Sequence, residues 1–344
     1  MVNTIAAVSS QRAFSLTMKN CSFLCSILVI FIHSYNIVTY NISTNSSVYW
    51  FEEVVSQCIA RGAVPFFFIS SAFFLYQRQK DIISVYKSRF KSIVLPYLLW
   101  NVIYMLFFSV LKKLSLSNAG MDKINITNIL EGIFLYKYNY AYWFMFYLIL
   151  FTLLYPVIRQ IICRNKLVCF LGFALLLVFY LFKIINHDII EHLIYYYLGA
   201  ILGYHYKESA EKIVMIRTRN KVLILMTLFI IGAALFVASN IYSINITLIK
   251  SVIMTLLLFF ISSLQKIKIP YFLLGLSFMI YSMHPIILEI IEKIIFIVCP
   301  HNIFWAATDY VIAPIVSVFI IVALCILMKK ICPTVYGLLN GNRK

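Results

Sequence analysis

Long apolar runs recur from one end of this chain to the other, separated by short polar stretches that hold most of the charge. A helix rises 1.5 Å per residue, so about 20 apolar residues cross the hydrocarbon core of a bilayer. On that measure the pattern predicts about ten spans. They lie near residues 21–40, 58–76, 93–111, 143–162, 167–185, 190–204, 221–239, 247–264, 271–296 and 308–328. The sixth is short and reads as tilted or partly re-entrant. Residues 127–138 are too few to span and read as a segment lying in the interface. The expected fold is an all-α integral membrane protein: one helical domain over 19–330 and a short basic cytoplasmic tail at 331–344. Residues 1–20 are mixed and polar, unlike a secretory signal. Residues 1–18 are expected to form a disordered extension, with Met18-Lys19 a plausible true start.

Composition supports the membrane reading. Hydrophobic residues make up 63% of the chain and charged ones only 12%, against about 25% charged in a soluble domain. The net charge of +17 does not point to nucleic acid, because the basic residues sit in short loops where they set topology. With the N-terminus in the cytoplasm, inside segments hold 21 of the 29 Lys and Arg residues and outside segments hold seven, leaving Arg61 within a span. The alternation holds at every loop, so an even number of spans with both termini cytoplasmic is expected. The eight cysteines show no CxxC and no Cys/His cluster at metal spacing, and no metal is expected. Most lie in spans as small hydrophobes; Cys58 and Cys299 lie near outward ends and could pair. No internal repeat or pair of matching broken helices is visible, which disfavours an inverted-repeat transporter.

The candidate chemistry begins with LCSILVIFIHSY (24–35), where His33 interrupts an apolar run. An ionisable ring inside a span is a functional-site hypothesis by default. His33 lies about 18 Å from the inner edge of its span and His284 about 20 Å from that of the ninth. Arg61 lies near the outer edge of the second. Three titratable groups at one depth predict a polar pocket in the outer half of the bundle. The competing reading for each histidine is a neutral ring hydrogen-bonded across helices; for Arg61 it is a side chain snorkelling to the headgroups. Tyr281 precedes His284 by three residues and shares its helical face, although a tyrosine packed between helices fits equally well. The densest inside basic patch is Arg78, Lys80, Lys87, Arg89 and Lys91, which topology alone also explains.

Six stretches, in order, resemble the membrane acyltransferase 3 family. LCSILVIFIHS (24–34) resembles its first span with a His at this place. RGAVPFFFISSAFFL (61–75) is similar to its Arg, Val-Pro, aromatic and Ser-Gly span, and RFKSIVLPYLLWNV (89–102) to the basic lead into its third. AYWFMFYLILFTLLYPVI (141–158), YYYLGAILG (195–203) and LSFMIYSMHPIIL (276–288) resemble later spans, the last carrying His-Pro. The likeness covers about residues 19–328. It implies a multi-span O-acyltransferase that moves an acyl group, commonly acetyl from acetyl-CoA, to a hydroxyl of a glycan or similar acceptor.

The resemblance makes His33 catalytic, and a neutral imidazole can take the proton of an attacking hydroxyl. Arg61 would stabilise the oxyanion or hold an anionic group, with His284 and Tyr281 beside them. Arg89 and Lys91 match the family's basic stretch and would meet the phosphates of CoA. Many members carry Arg or Lys eleven residues before the His; Ser22 stands there in this chain, and Lys19, about one turn earlier, could substitute. The family's Ser-Gly is Ser70-Ser71. The expected setting is a bacterial inner membrane and the expected acceptor a surface polysaccharide or its lipid-linked precursor. Two alternatives stand beside this. A transporter or flippase for a lipid-linked glycan predicts a polar path across the whole bundle and no CoA site; a degenerate member would bind CoA without turnover.

Overall fold

The computed structural model describes residues 2–114, 120–121, 125–242, 246–264 and 269–343, with side chains from residue 8 onward. Lys123, Lys266, Lys268 and Lys344, which enter the charge alternation, lie outside the described residues. Among those described there is helix and no strand. In order the helices are α1 (Val2–His33), α2 (Ser47–Tyr76), α3 (Ile82–Lys113), α4 (Ile126–Phe134), α5 (Trp143–Leu153), α6 (Tyr155–Arg164) and α7 (Lys166–Leu181). They continue as α8 (His187–His205), α9 (Lys207–Ile213), α10 (Thr218–Tyr242), α11 (Thr247–Ser263), α12 (Ser277–Val298), α13 (Ile303–Ile331) and α14 (Pro333–Leu339).

Every predicted span overlaps helix. Five helices are long and apolar enough to cross a membrane: α1 from Val8, α2, α3, α10 and α13; a sixth counts if α5 and α6, bent by 59°, form one span. The remaining predicted spans meet shorter or more charged helices: α7 and α11 have 16 and 17 residues, and α8 and α12 carry acidic residues. α10 is the least covered of the five long helices: only 17% of its most apolar window is buried within the protein.

Residues 1–78 and 162–323 form one compact unit. Its core is set by close helix contacts. Gly199 and Gly203 of α8 abut the backbone of Ile69 and Phe73 of α2; an added Cβ would lie 2.7 Å and 2.9 Å from their Cα atoms. Small residues at such crossings let helices approach without lipid-driven attraction. Both contacts keep an offset of 130 residues (199 less 69, 203 less 73), so α2 and α8 run parallel. Gly62 likewise abuts Met254 of α11, and Thr255 Oγ1 donates to the Gly62 carbonyl at 2.9 Å.

Of the disordered extension expected over residues 1–18, residues 2–18 are instead helical, as the first half of α1. Ser10, Phe14, Thr17 and Met18 are buried, and the Phe14 ring meets Phe73 and Phe259 at 5.3 and 6.2 Å. The apolar face that Phe14 and Met18 contribute explains the packing. The first span also stops earlier than expected, at His33 rather than near residue 40. Beyond Ser34 the ladder is replaced by side-chain partners described below.

Residues 79–161 and 324–344 form the second unit. Asp81 accepts from the Ser84 N–H and starts α3, an N-cap arrangement. α3 opens into a wide π turn over Phe90–Val94, where the Leu95 N–H reaches back to the Phe90 carbonyl. Pro96 follows and brings no N–H of its own. The basic tail is not free: Trp100 Nε1 donates to the Leu339 carbonyl at 3.1 Å, seating α14 on α3. α4 is held by Tyr97 and Asn101, which donate to the Phe134 and Ile133 carbonyls at 2.7 and 3.0 Å.

Candidate active site

The first unit brings His33 and His284 together, with ring centroids 5.1 Å apart. His284 is fully buried. Its orientation follows from the residue after it. In a regular helix the N–H of residue 285 would bond the carbonyl of Tyr281, but Pro285 has none. That carbonyl lies 2.7 Å from His284 Nδ1 instead. A carbonyl only accepts, so Nδ1 carries the hydrogen and Nε2 is the acceptor of the neutral ring. Among the described residues Nε2 is buried without a hydrogen-bond partner. Tyr281 contributes through its backbone; its own ring lies 6.0 Å from His284.

His33 ends α1, and a clamp fixes that end. Ser56 Oγ donates to the Phe31 carbonyl at 2.7 Å and pairs with the Tyr310 hydroxyl at 2.7 Å. Glu52 accepts the Asn36 backbone N–H at 3.1 Å, and the Asn36 amide donates to the Ala306 carbonyl at 3.0 Å. Tyr40 donates to Asp309 at 3.3 Å. Glu52 and Asp309 are both buried. The residues after His33 are thus tied to α2 and α13 by backbone and side chain together.

Arg61 stands on a tight turn (Ala60–Gly62) inside α2, after a wide π stretch over Glu53–Ile59. Pro65 supplies no N–H to the Arg61 carbonyl, which accompanies the irregular winding. The guanidinium is exposed and donates through Nε and Nη2 to Gln57 Oε1 at 2.9 and 2.6 Å. Its charge acts on the rings of both His33 and His192. His192 follows from the parallel register, since the 130-residue offset sets it level with Gly62. Its Nδ1 lies 2.5 Å from the Asp188 carbonyl, and its ring 5.2 Å from Phe68.

The structure thus sets His33 beside His284 and Tyr281, with Arg61 near enough for its charge to reach the His33 ring. Lys19 does not join them: it lies fourteen residues earlier on α1, about 21 Å along the helix, where its amine contacts the Tyr271 hydroxyl and ring face. Arg89 and Lys91 belong to the second unit. All eight cysteines are free, Cys58 and Cys299 included. Sequence reading missed His192, Glu52 and Asp309. Asp309 sits inside the predicted span 308–328 and was open to the same argument as His33. His192, directly after Glu191 and four residues past Asp188, reads as the wet end of a short span. Glu52 falls in a predicted loop and gave no signal.

An all-helical membrane protein with paired histidines, one poised as a hydrogen-bond acceptor and the other within reach of an arginine's charge, has the equipment for proton transfer and anion stabilisation. The family model described as an acyltransferase domain matches residues 23–330, and the chain belongs to the membrane acyltransferase 3 family. No curated protein and no solved structure matches it.

Proposed function

We propose that this protein is a membrane O-acyltransferase that moves acetyl from acetyl-CoA to a hydroxyl of a surface polysaccharide or its lipid-linked precursor. The observation that carries the reading is the His33–His284 pair, with His284 Nε2 held as an unpartnered acceptor. His33 takes the proton as the acceptor oxygen attacks the thioester carbon. Arg61 offers positive charge to the oxyanion that forms. When the C–S bond breaks, the proton passes from the imidazole to the leaving sulfur, so His33 ends as it began. His284 presents an acceptor nitrogen toward His33 and steadies it while it carries the proton. In this proposal all ten helical segments cross the inner membrane of a bacterium and both termini are cytoplasmic, in line with the alternation of basic loops.

The test is transfer of labelled acetyl from acetyl-CoA to total cell glycan in membranes containing this chain. Label on glycan, reduced roughly 100-fold or more in His33→Ala, is the expected result. Label persisting in His33→Ala would move the base to His284. No label, with intact acetyl-CoA and folded protein, would overturn the reading in favour of glycan transport.

A further inference from the structure

The clamp behind His33 contains two carboxyl groups that nothing positive meets. Glu52 is 0% exposed and Asp309 3%, and among the described residues neither forms an ion pair. Their hydrogen-bond partners are neutral, and one oxygen of each carboxyl takes all the donors. Glu52 Oε2 receives the Asn36 backbone N–H at 3.1 Å. Asp309 Oδ2 receives the Tyr40 hydroxyl at 3.3 Å and the Asn36 amide at 3.5 Å. The other oxygens, Glu52 Oε1 and Asp309 Oδ1, are buried with no hydrogen-bond partner among the described residues, and so is Asn36 Oδ1. Asn36 thus joins the two groups, its backbone N–H on one and its side-chain amide on the other. Three buried acceptors belong to this one junction, and none of them meets a donor.

A carboxylate buried without a counter-ion is costly, and such a group takes a proton instead. Two of them held by one residue reinforce the effect, because like charges repel. The surroundings offer no relief. Glu292 of α12 adds a third carboxyl whose charge meets that of Asp309, and Lys293 beside it is engaged with Glu289 at 2.7 Å. On α13 the Tyr310 phenol faces Glu52, and in the loop after α1 Tyr35 does the same while donating to Glu53 at 2.7 Å. A protonated carboxyl is an acceptor at one oxygen and a donor at the other, which is the asymmetry seen at both groups. We infer that Glu52 and Asp309 are positioning residues that hold the His33 end of α1 as neutral carboxylic acids, with Asn36 Oδ1 accepting a hydrogen from the pair. The consequence for catalysis rests on the acyltransferase reading above. Asn36 follows His33 by three residues, so a proton lost from either carboxyl puts a buried negative charge on the tie that closes α1. Alkaline pH then loosens the clamp and draws His33 away from His284. A folded state that binds more protons than the unfolded chain loses stability as pH rises, here from the ordinary carboxylate range of about 4 upward.

The test uses the full chain in neutral detergent, with Glu52→Gln, Asp309→Asn and Glu52→Ala. Gln and Asn copy the neutral acid, accepting at the oxygen and donating at the amide, and they do not ionise. Infrared difference spectra of wild type minus Glu52→Gln, and of wild type minus Asp309→Asn, are expected to show a carboxylic-acid C=O stretch at about pH 7 rather than carboxylate bands. The wild-type melting temperature is expected to fall by several degrees between about pH 6 and about pH 9. The fall is smaller in Glu52→Gln and Asp309→Asn, whereas Glu52→Ala melts low throughout. Acetyl transfer is read over the same range as the ratio of variant to wild type, in which titration of His33 cancels. That ratio is expected to rise with pH by roughly threefold or more in the Gln and Asn variants. Carboxylate bands at about pH 7, or a Glu52→Gln melting temperature as low as that of Glu52→Ala, overturn the inference. A flat ratio beside acid bands leaves the carboxyls neutral but without a hold on His33, and overturns the positioning role. Transfer absent from wild type overturns the acyltransferase reading alone, since the spectra and melting curves still decide the state of the two carboxyls.

Discussion

One missing hydrogen orients His284. Because Pro285 leaves the Tyr281 carbonyl without its helical donor, the imidazole supplies one, and Nε2 is left for the site. Pro285→Ala restores an N–H that competes for the same carbonyl. The expected outcome is acetyl transfer reduced about tenfold with the apo melting temperature unchanged or higher, since a helical proline is itself costly; full activity in Pro285→Ala would show that the carbonyl contact is incidental. This level of detail was half visible in the sequence. The depth argument singled out His33, His284 and Arg61 because an ionisable group in an apolar run is conspicuous, and the structure sets the two histidine rings together. It did not find which nitrogen of His284 faces the site, since that depends on a hydrogen bond. It missed His192 because acidic neighbours made it look solvated.

Among elements, the pattern located helices well and their ends poorly. Hydrophobicity alone carries α1 on toward residue 40, yet the helix closes at His33 because Glu52 takes the Asn36 N–H and Ser56 binds the Phe31 carbonyl. Those partners come from other helices and leave no periodic trace. Glu52→Ala removes the acceptor and leaves the buried Asn36 N–H unmatched. A loss of about 1–3 kcal/mol is expected, read as a lower melting temperature in detergent, with acetyl transfer falling further than His284-side substitutions that spare the clamp. An unchanged melting temperature would mean that the loop after His33 is held by the Ala306 and Asp309 contacts alone. The α2–α8 register makes a second element-scale prediction. Gly199→Ala drives a methyl into the Ile69 backbone, and overpacking of this kind costs about 1–3 kcal/mol. Because α8 also carries His192, the same substitution should disturb the Arg61 side of the site; retention of wild-type stability would show that the two helices separate freely.

For the whole molecule the question is how many helices cross. Length and apolarity accept five or six; the alternation of basic loops fits the expected ten. The two counts disagree most simply at the loop between α7 and α8. If both helices cross, residues 183–186 face outside and the loop before α7 faces inside. If neither crosses, both loops lie on the same side. α7 has 16 residues, about 24 Å of helix, short of the roughly 30 Å core but within reach where the bilayer thins. Cys163 and Ile185 both expose their side chains, so they report on the two loops. Ile185→Cys is compared with native Cys163, each as the sole cysteine, using a membrane-impermeant maleimide on intact cells. The proposed topology requires labelling at 185 and none at 163 until the membrane is opened. Protection of both would remove α7 and α8 as crossings. The basic residues around Arg164 and Lys207 would then lie on one continuous inside surface, and the charge alternation would have matched ten spans without ten crossings.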